Sequence, residues 1–282
     1  MSTPSLHIST ATRAELDLMV AWAAREGWNP GLADADCFHA ADPAGFLIGR
    51  LDGEPVGCIS VVTYQPAFGF LGFYIVKPEH RGQGYGLRLW QAGMARLENR
   101  IVGLDGVIAQ QENYKRSGFV LAHRNIRFGG TPTCEPPRDG RLAAIDADKV
   151  AAVIAYDRAF FPGARDAFLR CWLRPVQRTG LALIEHGAVR GYGVMRACQR
   201  GCKIGPLFAD TDEGADLLFR ALAAGAKGQE VFLDCPAPNR PATELAARYG
   251  LSPVFEPARM YRGTAPPLPL PRIYGISTFE LG

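Results

Sequence analysis

The residues of this 282-residue chain best suited to chemistry lie in one short stretch, Arg81-Gly82-Gln83-Gly84-Tyr85-Gly86-Leu87. Glycines at alternate positions let the backbone turn tightly and approach a ligand closely. A helix opening at this turn presents unpaired N–H groups and the positive end of its dipole. A phosphate or pyrophosphate fits there, and Arg81 can add a charge-assisted hydrogen bond. Three ligand classes use such turns. A nucleotide P-loop needs Lys-Ser or Lys-Thr after its last glycine, and neither follows. A dinucleotide fold needs G-x-G-x-x-G directly after its strand. Counting from Gly82, the third glycine would fall at Leu87, and residues 77–81 intervene, although Asp105 lies at about the right distance downstream. The third class is the pyrophosphate of an acyl-CoA.

Elements must position this turn. Leu16, Met19, Val20 and Ala23 recur at helical spacing and predict a helix over 12–26, broken by Gly27-Trp28-Asn29-Pro30-Gly31. A short helix is read over 34–41. Strands follow over 45–51 and 55–64, joined by the hairpin pair Asp52-Gly53. A third strand, 68–76, feeds the turn, from which a helix runs over 84–97. Next come a strand (101–104), a helix (110–117) stopped by Gly118, and a strand (119–128). The Gly- and Pro-rich residues 129–138 read as a linker. The second half reads as helices 148–160 and 165–173, strands 181–185, 189–195 and 203–208, helix 211–225, strand 231–235, helix 240–249, and strands 253–261 and 273–281. Each half ends strand–helix–strand–helix–strand. The economical reading is a duplicated α+β chain with domains at 1–130 and 141–282 and a linker at 131–140.

Bulk composition excludes several classes. With 48% apolar and 21% charged residues the chain can build a full core. The net charge is only +3 and the basic residues are scattered, which argues against nucleic acid. No apolar run approaches the roughly 18–20 residues of a membrane span, and residues 1–6 show no signal peptide. Seven cysteines occur without C-x-x-C spacing. Cys198 and Cys202 lack a second ligand pair, so no metal is expected. Most cysteines read as small apolar core residues, Cys58 among them, and the compartment as a reducing cytoplasm.

Two linked motifs point further. Val76-Lys-Pro-Glu-His-Arg81-Gly-Gln-Gly84-Tyr-Gly86 matches [Q/R]-x-x-G-x-[G/A] after a strand, and Tyr114-Lys-Arg-Ser-Gly118-Phe119 matches Y-x-x-x-G-[F/Y] on the following helix. In both the chain resembles the GNAT N-acetyltransferase superfamily. The resemblance implies a mixed α/β fold of tandem GNAT-like domains. Each would have a central, mostly antiparallel sheet flanked by helices, with splayed strands at the CoA site. It implies transfer of an acetyl group from acetyl-CoA directly to a primary amine, catalysed largely by positioning. Amides of Arg81, Gly82, Gln83, Gly84, Tyr85, Gly86 and Leu87 would hold the pyrophosphate. Tyr74, Ile75 and Val76 would line the pantetheine arm, and a backbone N–H near Val76 would polarise the thioester carbonyl. Tyr114 would protonate the departing thiolate or simply pack against CoA. Two departures stand out. The strand 70–76 holds no carboxylate to act as base, which leaves Asp105, Glu79, Glu112 or solvent. The Asn that the family often carries seven residues before the tyrosine is Val107, and Asn113 is the candidate to share its role.

The chain also resembles a narrower group, two-domain GNAT proteins with a diverged C-terminal half. The resemblance is carried by Glu26-Gly-Trp28-Asn29-Pro30-Gly31…Asp34, Leu104-Asp-Gly…Gln110-Gln111-Glu-Asn113-Tyr114, Gly205-Pro206-Leu207…Ala209 and Tyr274-Gly275…Thr278-Phe279-Glu280-Leu281-Gly282. Between Phe208 and Leu217 the second half carries four acidic residues where the turn would be, which would repel a pyrophosphate. One CoA site is therefore expected, with the second domain closing the cleft or completing a shared sheet. Trp28, Asn29 and Asp34 are expected in the acceptor pocket, although a Trp there could equally anchor the loop. Asp157 and Arg158 are read as a surface pair more readily than as cleft residues, and Tyr249 as core. A small-molecule amine is the expected partner. A non-catalytic acyl-CoA sensor and a protein acetyltransferase are the alternatives, and monomer and homodimer both remain open.

Overall fold

The computed structural model describes residues 5–282; the first residues of the stretch in which no signal peptide is read lie outside the described residues. The first half runs β1 (His7–Thr10), α1 (Arg13–Arg25), α2 (Asp34–Ala41), β2 (Phe46–Leu51), β3 (Glu54–Tyr64), β4 (Phe68–Val76), α3 (Tyr85–Arg96), β5 (Ile101–Val107), α4 (Gln111–Arg116) and β6 (Val120–Gly130). The second runs β7 (Leu142–Ala144), α5 (Ala147–Asp157), α6 (Asp166–Trp172), β8 (Arg178–Glu185), β9 (Ala188–Ala197), β10 (Cys202–Ala209), α7 (Asp212–Gly225), β11 (Val231–Pro236), α8 (Arg240–Arg248), β12 (Ser252–Phe255), β13 (Pro257–Arg262) and β14 (Ile273–Gly275). Local chemistry explains the boundaries. Thr12 and Glu15 form a full capping box on α1, and the side chain of Asn239 caps α8. β1 and β7 span only four and three residues, too few for strand alternation to register. The expected last strand stops at Gly275, and the residues after it follow an irregular path.

All fourteen strands join one sheet, in the order β1-β2-β3-β4-β5-β13-β6-β11-β10-β9-β8-β7, with β12 beside β6 and β14 beside β10. Among the described residues only β4–β5 and β10–β11 are parallel pairs. The halves exchange strands. β13, from the second half, pairs with β5 from Pro257↔Val107 to Arg262↔Val102. β6, from the first half, pairs with β11 from Val231↔Gly130 to Pro236↔Asn125. The exchanged strands also pair with each other, from Ala258↔Arg124 to Tyr261↔Val120.

Each parallel pair forks. β4 and β5 are paired only from Phe68↔Ile101 to Leu71↔Leu104, and β10 and β11 only from Cys202↔Val231 to Ile204↔Leu233. In the second half the chain fills its own fork: β14 pairs with β10 at Leu207↔Gly275, and the N–H of Ile276 donates to the Asp234 carbonyl. Among the described residues no strand enters the fork of the first half.

The halves meet over a core containing Phe38, Phe73, Trp172 and Tyr192 and over buried ion pairs. Arg127 binds Asp234 through two bonds of 2.7 and 2.8 Å and donates to the Trp28 carbonyl at 2.6 Å. Asp157 is not a surface residue: it is 1% exposed and bound twice by Arg165, and only Arg158, paired with Asp166, lies outside. The cysteines also depart from expectation, since Cys37 of α2 and Cys171 of α6 form a disulfide across the halves. They occupy facing positions on two packed helices with Cα atoms 5.1 Å apart, a proximity that 134 residues of intervening sequence hide. The other five cysteines are thiols.

Candidate active site

The turn after β4 holds Gly82 and Gly84 at φ of 74° and 82°. These left-handed values suit glycine and strain other residues. Gly84 caps α3 without any side-chain hydrogen bond. The first helical bond runs from the Arg88 N–H to Gly84, and among the described residues no amide from Gly82 to Leu87 has an acceptor. The contrast with α7 is direct, because there the Thr211 hydroxyl accepts from Gly214 and acidic residues fill the first turn. The second half thus caps with its own side chain what the first half leaves unsatisfied.

Beside the glycine turn the open fork forms a cavity of about 560 Å³, an ordinary size for a small-ligand site. Residues 72–76 of β4 form one wall, and Leu104, Asp105, Val107 and Tyr114 the other; Arg81, Gly82 and Gly86 stand at one end. Trp28, Phe255, Phe279 and Glu280 also line it, so the second half contributes directly.

Tyr114 is buried, its ring 5.5 Å from that of Trp90, and its hydroxyl has no hydrogen bond among the described residues. Burial, helped by nearby Tyr74, pushes the phenol above its ordinary range, so it stays protonated. Tyr74, Ile75 and Val76 line the cavity. Arg81 lines it too, but its guanidinium is already engaged by the Val76 carbonyl and Glu26. Gln83, Gly84, Tyr85 and Leu87 do not line the cavity; of the turn, Arg81, Gly82 and Gly86 do. Asn113 is exposed and donates to Gln110.

The loop expected at the acceptor pocket divides. Trp28 lines the cavity while its carbonyl is held by Arg127 and Lys203, so it is both wall and anchor. Asn29 and Asp34 face elsewhere. The Asn29 amide makes two bonds to the Arg200 backbone. Asp34 is 1% exposed and accepts from Gly31 and Arg196, with Arg178 at 3.5 Å. Both residues tie the loop to the second half, a role that loop spacing cannot distinguish from ligand contact. The three carboxylates considered as bases fare no better. Asp105 lines the cavity but is engaged by Arg259 and Asn125 through three donors. Glu79 is exposed, and Glu112 is exposed and paired with Lys115.

Glu280, to which sequence reading gave no role, enters from 204 residues beyond β4 (280 − 76). Its carbonyl oxygen packs on Gly72, where a Cβ would lie 2.3 Å from that oxygen. Gly72→Ala should therefore push the segment away and cost about 1–3 kcal/mol, as overpacking does; thermal unfolding would detect it, and an unchanged midpoint would contradict it.

Family comparison agrees with this geometry. Residues 13–119 match the model described as Acetyltransferase (GNAT) family, and residues 153–275 that described as Acetyltransferase (GNAT) domain. The chain is 34% identical over 273 residues, 96% of its length, to holothin acyltransferase of Pseudoalteromonas sp., covering 93% of that protein. The chain belongs to the GNAT superfamily. It is a two-domain GNAT protein, and the superfamily's transferases draw on acyl-CoA. A crystal structure from Pyrococcus horikoshii assigned as an acetyltransferase superposes with a TM-score of 0.82 at 22% identity, covering 100% of this chain and 98% of the other. A tandem GNAT protein from the clavulanic acid biosynthesis pathway gives 0.62 at 14%, covering 93% and 100%. At these identities the likenesses concern the GNAT fold alone. They agree with the mixed α/β, mostly antiparallel sheet described above.

Proposed function

We propose that this GNAT protein transfers an acetyl group from acetyl-CoA to the primary amine of a small molecule by direct attack. One observation carries the reading: a single cavity runs from the unsatisfied amides of the glycine turn, through the open fork, to a pocket walled by Trp28, Phe255 and Phe279. Pyrophosphate would sit on the amides of 82–87 and pantetheine in the fork. The acceptor would meet the thioester among the aromatic rings. Wall residues drawn from the second half favour a compact acceptor over a protein chain. So does the relative named as acting on holothin. In this scheme residues 1–130 bind CoA and residues 141–282 complete the acceptor side.

Tyr114 is the proton donor to the leaving thiolate. Tyr114→Phe keeps the ring packing and removes the proton. It should leave acetyl-CoA affinity unchanged and lower kcat by about 100-fold, the small end of the usual range for general acids. Calorimetric titration of acetyl-CoA, followed by release of free CoA with a panel of primary amines, tests the reading. One tight site with amine-dependent release supports it. Binding without release would make the protein a sensor, and no binding would reject the acyl-CoA site.

A further inference from the structure

The fold buries its acids in pairs. Asp34, Asp42, Asp105, Asp157 and Asp234 each have an arginine nitrogen within 3.5 Å. Glu280 breaks the pattern. It is 2% exposed, both carboxylate oxygens are sealed from solvent, and neither has a hydrogen-bond partner among the described residues. An unpaired carboxylate in such a place is costly, so its donor must come from outside the chain or the group must hold a proton.

Its position is well fixed. The Thr278 hydroxyl accepts from the N–H groups of Glu280 and Leu281. Tyr64 donates to the Leu281 carbonyl, and Arg165 and Arg196 hold Ser277 from the second half. Glu280 and its neighbour Phe279 stand in the cavity wall, with the Glu280 carbonyl packed on Gly72 of the carboxylate-free strand β4. Burial pushes the Glu280 carboxyl above the ordinary glutamate range. Lys203, Arg196 and Arg127 pull it back in part, while Asp34 reinforces the rise. Asp105, which also lines the cavity, is neutralised by Arg259.

We infer that Glu280 is the general base of the reaction, meeting the acceptor amine and taking its proton. The inference rests on the acyltransferase reading above. The amine nitrogen forms a bond to the thioester carbon, the C–S bond breaks, and the nitrogen's proton passes to Glu280. The thiolate is protonated by Tyr114, and transfer of one proton from Glu280 to Tyr114 after product leaves resets both groups. The step is redox-neutral and yields an amide and free CoA.

The test is Glu280→Gln, made in the full chain and assayed with acetyl-CoA against a panel of aromatic and aliphatic amines and against water alone. Three results are expected together. The rate of CoA release falls about 100-fold or more, acetyl-CoA affinity is unchanged, and the unfolding midpoint is equal or higher. The last follows from linkage. A carboxyl raised in the folded state costs stability above its folded pKa and is relieved in acid, and an amide removes that cost at neutral pH. With an arylamine acceptor, the acid limb of kcat/KM, displaced upward from the glutamate range, should vanish in the variant. Glu280→Asp, which keeps the acid but shortens it, should retain that limb at reduced rate. Activity of Glu280→Gln within about threefold of wild type would overturn the assignment. A drop in midpoint with loss of acetyl-CoA binding would also overturn it, by making Glu280 structural. Wild-type protein that binds acetyl-CoA but never releases CoA would refute the base and leave the binding site standing. Failure to bind at all would refute the acyltransferase reading itself.

Discussion

Gly84→Glu should weaken acetyl-CoA binding by at least about 100-fold, roughly 2.7 kcal/mol. Two terms act together. A non-glycine residue at φ of 82° costs about 1–2 kcal/mol of backbone strain. The new carboxylate would also stand at the helix start, where the dipole and unsatisfied amides favour an anion. There it competes with the pyrophosphate and repels it, by a few kcal/mol at contact distances. No heavy atom outside the immediate chain neighbours lies within 4 Å of a Cβ at this position, so packing is not the cause. Gly84→Ala separates the terms, because it keeps the strain without the charge and should weaken binding only about tenfold. Calorimetry on both variants decides the matter. Full affinity in Gly84→Glu would mean that the pyrophosphate lies elsewhere.

Arg127→Ala should destabilise the fold by about 3–5 kcal/mol, the usual cost of breaking a buried ion pair from one side. Arg127 and Asp234 have side chains only 3% and 1% exposed. Burial alone would raise the Asp234 carboxyl; Arg127, with Lys203 and Arg196 beyond it, more than offsets this and holds it below the ordinary range. By linkage that stability is present above the unfolded carboxylate pKa and lost as pH falls through the depressed folded value. Removing Arg127 strands the charge, so the variant should regain stability in mild acid relative to neutral pH, opposite to wild type. Denaturant unfolding at both pH values reads this. A companion variant, Arg127→Met with Asp234→Leu, should recover most of the loss, because removing both charges removes the desolvation cost as well. A loss under 1 kcal/mol in Arg127→Ala would show that water or Lys203 compensates. Arg127 also lies 4.7 Å from the Phe279 ring and holds the Trp28 carbonyl, so its removal should loosen the cavity wall at Trp28 and Phe279 first.

What the sequence makes legible is what sequence-local chemistry controls. The glycine turn, the helix it opens and the tyrosine on α4 each depend on residues within a few positions of one another, and the structure brings them to one cavity. Most helices and strands follow from periodicity and stop at recognisable residues, as α4 does at Gly118. The rest depends on distant partners. Asn29 in the loop after α1 and Asp34 at the start of α2 follow the cavity-lining Trp28, but β9 and its turn engage them from more than 160 residues away. Glu280 is the reverse case, because in sequence it is one acid in an apolar ending and only the burial of its oxygens marks it. The filled fork of the second half is likewise invisible until β14 is seen beside β10.

The exchanged strands set an order of events during synthesis. When residue 130 has left the ribosome, β5 still lacks its neighbour, which arrives only with residues 257–262. Until then β5 is an open edge, the kind of surface that recruits stray strands. The cavity wall is completed later still, by residues 279 and 280. A nascent chain therefore acquires the glycine turn long before it can enclose the cavity beside it. The first half is a poor module to transplant alone, and a fragment ending before residue 257 should need chaperone protection where the finished protein does not.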